Sequence, residues 1–82
     1  MSRSIVEGVV ELFNREFGLK LDMTEDTYTK KWNQIGIDSM KFVQGIVLIE
    51  RTYSIEIDDD DLSMDILKNI DDLVRYIEDR DE

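Results

Sequence analysis

Apolar residues recur at helical spacing in three separate stretches of this chain. In the first, Ile5, Val9, Phe13 and Phe17 fall every fourth position, and Val6, Val10 and Leu12 widen the stripe. Ser4 and Glu7 have capping-box spacing, so a helix is expected from about Ser4 to Phe17. Gly18 is placed to close it in a left-handed conformation, and Gly8 inside it costs about 1 kcal/mol relative to alanine. The second stretch should begin at Asp38 or Ser39 and run to about Tyr53. Met40, Val43, Ile46, Val47, Leu48, Ile49 and Tyr53 make it apolar around much of its circumference. Val43, Ile46, Val47 and Tyr53 are its expected core positions, with Met40 and Phe42 partly exposed. In the third, Ile70, Leu73, Val74 and Ile77 mark one face, Asn69 can cap, and Asp71 and Asp72 fill the first turn. Arg75 and Arg80 lie toward its C-terminal end, where positive charge is favourable. This last helix is expected to pack against the other two.

The connections differ in character. From Leu19 to Ile37 the periodicity breaks, and Thr24, Asp26, Thr27 and Asn33 punctuate a long loop. A loop of that length needs a function or anchors. Leu19, Leu21, Tyr28, Trp32 and Ile35 are the anchors, with Trp32 expected to pin the loop onto the bundle. Between Ser54 and Asn69, Ile55 and Ile57 alternate as in an extended segment. The run from Asp58 to Asp61 then suits the start of one or two helical turns near Asp60 to Asp65, with Leu62 and either Ile66 or Leu67 turned inward. A calcium loop would need a glycine at its sharp turn and a glutamate at its twelfth position, and neither comes after this aspartate run.

Composition narrows the picture. Eighty-two residues make one small domain, and no proline with only four glycines favours helices over a turn-rich β fold. The absence of cysteine rules out a disulfide framework and suits a reducing cytoplasm. No apolar stretch approaches membrane-spanning length, and the N-terminus lacks the blocks of a signal peptide. A formal charge of −10 repels phosphate backbones, which argues against nucleic-acid binding and suits partners with basic docking surfaces.

The chemistry concentrates in Ile35-Gly36-Ile37-Asp38-Ser39-Met40, which puts a hydroxyl at the mouth of the second helix, after a glycine turn and an acidic cap. Asp-Ser alone is an ordinary helix cap. Without histidine or cysteine a Ser-His-acid triad and a thiol nucleophile are impossible, and Lys41, two residues on, points to a different helix face. No catalytic residues and no metal site are expected. Ser39 reads as a residue that another enzyme modifies.

Gly-x-Asp-Ser-Met followed by Lys41-Phe42-Val43-Gln44 resembles the prosthetic-group site of acyl carrier and peptidyl carrier proteins. The resemblance covers essentially the whole chain. It implies an all-α, acyl-carrier-like four-helix bundle over residues 1–82, with three main helices, a short third helix and a long first loop. It implies that Ser39 carries a covalent 4′-phosphopantetheine and that Asp38 is the acidic neighbour contacted by the transferase. Met40, Lys41, Val43, Gln44 and Val47 become the expected partner-docking positions. The implied partners are a phosphopantetheinyl transferase, an acylating or adenylating loading enzyme, and downstream synthase or tailoring enzymes, acting on a monomer. Carriers of fatty-acid synthesis are typically acidic on the exposed second helix, whereas here Asp38, Lys41, Glu50 and Arg51 cancel. The expectation is therefore a discrete carrier in polyketide, nonribosomal peptide or related specialised biosynthesis. A housekeeping fatty-acid or D-alanyl carrier is the alternative, and a small acidic helical adaptor without a prosthetic group is the alternative of another class.

Overall fold

The computed structural model describes the backbone of residues 3–80 and the side chains of residues 5–79. Four α-helices succeed one another: α1 (Arg3–Phe17), α2 (Glu25–Thr29), α3 (Ser39–Tyr53) and α4 (Ile70–Arg80), with 3-10 turns at Trp32–Ile35 and Asp59–Asp61. Among the described residues there is no strand, and the fold is the all-α, acyl-carrier-like bundle expected.

In α1, Val6, Val9, Val10, Leu12 and Phe13 are buried, while Ile5 and Phe17 pack at the margins. The helix includes Arg3, one residue ahead of the expected start. The proposed Ser4 cap involves a side chain outside the described residues. The other end is as expected. Gly18 takes φ 65°, and the Leu19 amide donates back to the Asn14 carbonyl at 3.2 Å.

Helix α3 sits close against α1 because Gly45 has no side chain. A Cβ there would lie 2.7 Å from Phe13 Cε1, and Phe13 also packs edge-on with Trp32. At Gly8 a Cβ would lie 2.5 Å from the Tyr53 hydroxyl oxygen, so the bare glycine leaves room for the end of that side chain. Past Tyr53 the chain turns through Ser54, left-handed at φ 56°, and the Glu50 carboxylate accepts the Ile57 amide at 2.8 Å.

The short helices are distributed differently from the expectation. From Asp59 the chain makes a 3-10 turn and then a second turn in which the Leu67 amide donates to the Ser63 carbonyl at 2.8 Å; Leu67 is buried and Leu62 half-buried as expected, while Ile66 is exposed. The aspartates of this segment are tied to α4 through Tyr76, whose hydroxyl accepts the Asp58 amide at 3.1 Å and donates to Asp61 Oδ2 at 3.2 Å. The fourth α-helix is α2, inside the long loop. Thr24 caps it by accepting the Thr27 amide, and none of its five residues is buried. Too short to show an apolar period, it is held by tertiary contact. Helix α4 buries Ile70, Leu73, Val74 and Ile77, and Asn69 caps it by accepting the Asp72 amide at 2.8 Å. Its backbone runs near α1 and α2, and its buried side chains share one core with those of α1 and α3. Asn69 Nδ2 also donates to the Thr29 carbonyl at 3.4 Å, joining α4 to the end of α2.

This packing has two testable consequences. Gly45→Ala should destabilise the fold by about 1–3 kcal/mol, because the wedged Phe13 has little room to yield, and a lowered denaturant midpoint would show it. Burial, with the Glu11 carboxylate as a lesser cause, raises the Tyr53 phenol above its ordinary value of 10.0. The folded state keeps that proton to higher pH than the unfolded chain. The associated stability is complete below about pH 10 and is lost as pH rises through the raised value. Denaturant midpoints from neutral pH upward should therefore fall more steeply for the wild type than for Tyr53→Phe.

Candidate functional site at the start of α3

The site is assembled from the long loop inward. Asn14 grips its beginning with two hydrogen bonds to Leu21, from Nδ2 to the carbonyl at 3.2 Å and from the amide to Oδ1 at 2.8 Å. Leu19, Leu21, Tyr28 and Ile35 are half-buried against the core, and Trp32 drives to its centre, 1 % exposed. The indole packs between Phe13, with centroids 5.8 Å apart and rings at 61°, and Phe42, at 5.4 Å and 59°. Its Nε1–H donates to the Leu67 carbonyl at 2.6 Å. Trp32 thus pins the loop, as its sequence context indicated.

The backbone of the same residue shapes the turn that leads into α3. The Trp32 carbonyl accepts the Gly36 amide and, at 2.9 Å, the Ile37 amide. Gly36 makes the turn at φ 88°, a conformation that costs an L-residue about 1–2 kcal/mol. Ile37 is then fully buried, and the chain reaches Asp38 with its direction set. Asp38 is the N-cap of α3. Its Oδ1 accepts the Lys41 amide at 2.8 Å, and its carbonyl accepts the Phe42 amide at 2.8 Å. Ser39 is the first residue of α3 and is exposed. The first-turn amides and the positive end of the helix dipole make this a favourable place for a phosphate ester.

Around α3 the burial phase is Phe42, Gly45, Ile46 and Ile49. That corrects the expected core set. Val43 and Val47 are 47 % and 42 % exposed, and Phe42 is buried in their stead; Ile46 is buried and Tyr53 half-buried as expected. The helix offers two apolar faces, and stacking of Phe42 on Trp32 selects the inner one. Met40, 70 % exposed, continues Val43 and Val47 into an outward apolar stripe, with Gln44 beside it. Lys41 is half-buried and turns back, its Nζ donating to the Gly36 carbonyl at 3.4 Å. Four of the five expected docking positions therefore share the exposed face. Glu16, Phe17 and Leu48 join Val43, Gln44 and Val47 around a depression of about 400 Å³. The α1 contribution was not legible in sequence, because Phe17 reads there simply as the end of a core stripe.

Residues 7–77 match the family model described as phosphopantetheine attachment site, and the chain belongs to that family. No curated protein and no solved structure matches it. The family carries a covalently attached 4′-phosphopantetheine, so the chain is a carrier protein, serving a phosphopantetheinyl transferase and biosynthetic enzymes. An exposed serine hydroxyl leading a 15-residue helix, above a fully buried Ile37, fits such a group. Among the described residues no helix is long and apolar enough to cross a membrane.

Asp38→Ala should cost about 1 kcal/mol, through loss of the cap bond to Lys41, while Asp38→Asn should retain most of the stability. Thermal unfolding of the three proteins checks this.

Proposed function

We propose that Ser39 is the attachment residue and that the chain is a discrete carrier in a specialised biosynthetic pathway of polyketide or nonribosomal-peptide kind. The observation that carries the reading is the exposed Ser39 at the head of α3, its backbone fixed from below by buried Trp32 and Ile37. The Ser39 hydroxyl is the nucleophile a separate transferase directs at the pyrophosphate of coenzyme A. The oxygen gains a phosphodiester bond and loses its proton as the nucleotide portion leaves. When attached, the group supplies a terminal thiol that holds acyl or aminoacyl units as thioesters.

The chain's own residues position and present. Asp38 holds the first turn of α3 in place and offers the acidic contact beside the serine. Met40, Val43, Gln44 and Val47 form the face read by the transferase, the loading enzyme and the downstream enzymes, with Lys41 at its edge. Tethering raises the effective concentration of the cargo at each partner without new contacts. The pathway assignment is supported by the surface of α3: its exposed side is an apolar stripe flanked by Lys41, Gln44 and Arg51. Partners that recognise a strongly acidic helix find little charge to engage there.

Intact-protein mass after incubation with coenzyme A, magnesium and a broad-specificity transferase should show one phosphopantetheinyl addition to the wild type. Ser39→Ala should show none while melting at nearly the same temperature. Full modification of the variant would sink the assignment.

A further inference from the structure

Sulfur enters this chain only through its four methionines, since it has no cysteine. Among the described residues Met64 packs against the hydrophobic core, and Met23 lies in the long loop at 44 % exposure. Met40 is the most open of these three, 70 % exposed at the second residue of α3. The thioether that solvent reaches most freely is the one a dissolved oxidant meets first.

Its position gives that chemistry a consequence. Consecutive Cα atoms lie about 3.8 Å apart, so an enzyme that closes on the Ser39 hydroxyl also covers Met40. Val43 and Val47 follow on the same side of the helix, and both are exposed. The surface beside the hydroxyl is therefore apolar, and Met40 is its most exposed member. Oxidation to the sulfoxide turns a soft apolar side chain into a polar one and puts an oxygen into that surface. Water solvates this oxygen while the chain is free, whereas an apolar enzyme surface strips the water and leaves the oxygen unpaired. The fold is spared. The cap of α3 runs from Asp38 to the Lys41 amide, and the buried side of the helix is Phe42, Gly45, Ile46 and Ile49.

We infer that Met40 is an oxidation switch on the carrier, its sulfoxide form being a poor substrate for enzymes that act at Ser39. The inference rests on the assignment of Ser39 as the attachment residue, and adds a regulation of that same site. The oxidant is a peroxide. The thioether sulfur gives an electron pair to one oxygen of hydrogen peroxide, the O–O bond breaks, and the other oxygen leaves as water. Sulfur is oxidised and the peroxide is reduced. A methionine sulfoxide reductase reverses the change, so the carrier regains its apolar face once the oxidant is gone.

The test treats the full chain with dilute hydrogen peroxide, and peptide mass mapping follows each methionine. Met40 sulfoxide should accumulate ahead of the sulfoxides of Met23 and Met64. After the peroxide is removed, each chain is given coenzyme A, magnesium and the broad-specificity transferase, and its rate is compared with that of its own untreated form. The oxidised wild type should be modified about ten-fold more slowly, the order set by burying a polar oxygen without a partner. Its melting temperature should be unchanged, and a pair of sulfoxide reductases, one for each epimer, should restore the rate. Met40→Leu should have the same rate with and without peroxide, whatever that rate is, while Met23→Leu keeps the wild-type sensitivity. Oxidation of Met23 or Met64 ahead of Met40, an undiminished rate for the oxidised chain, or a loss that persists in Met40→Leu would each overturn the switch while leaving Ser39 as the attachment residue. No addition to the untreated wild type, by a transferase active on a control carrier, would overturn the Ser39 assignment and this inference with it.

Discussion

The position of Trp32 is the constraint on which the rest of the structure depends. Its indole is the piece of the long loop that reaches the centre of the bundle, wedged between Phe13 of α1 and Phe42 of α3 and bonded to the Leu67 carbonyl before α4. One side chain thereby joins three parts of the chain distant in sequence. An indole N–H buried without a partner would cost about 1–3 kcal/mol, so the Leu67 bond fixes the depth and rotation of the ring as well as satisfying it. Through its carbonyl, Trp32 then holds Gly36 and Ile37, and Ile37 sets where Asp38 and Ser39 emerge. The exposed residue proposed for attachment is placed by one that is almost wholly buried.

The same aromatic contact explains what was legible in the sequence and what was not. The three long helices, the Gly18 stop and the Asn69 and Asp38 caps carry strong local signals, and all lie where those signals put them. The inner face of α3 has no local signal. Met40, Val43 and Val47 are as apolar as Phe42, Ile46 and Ile49, so periodicity alone yields two candidate faces. The choice is made by Phe42 stacking on Trp32 and by Gly45 admitting Phe13, both long-range events. Helix α2 was illegible for a related reason: five residues with no buried member have no pattern to read. In the candidate site Ser39 and Asp38 stood out as a motif, whereas the Phe17 side of the neighbouring depression exists only once the chain is folded.

Keeping two apolar faces on one helix has a cost that the surroundings limit. Met40, Val43 and Val47 form an exposed patch that would favour self-association on a neutral protein. A formal charge of −10 makes copies of this chain repel one another, more so at low salt. A partner with a basic surface meets no such barrier, and the same field that discourages self-contact attracts it. The stripe can therefore stay apolar because the acidic charge lies mostly elsewhere: on α1, the aspartate run after Ile57 and the first turn of α4.

Stability and function are also separated at the scale of single residues. Ser39 is exposed, and the cap bond that starts α3 comes from Asp38, so esterifying the serine need not break a contact that holds the fold. Had Ser39 itself been the cap, modification would have competed with helix initiation. Placing the cap one residue earlier leaves the hydroxyl free of the helix-starting bond, so that on the proposed assignment the arm can move without disturbing α3. A carrier needs that division: partners must find the attachment point in one orientation, and the cargo must still swing from one to the next.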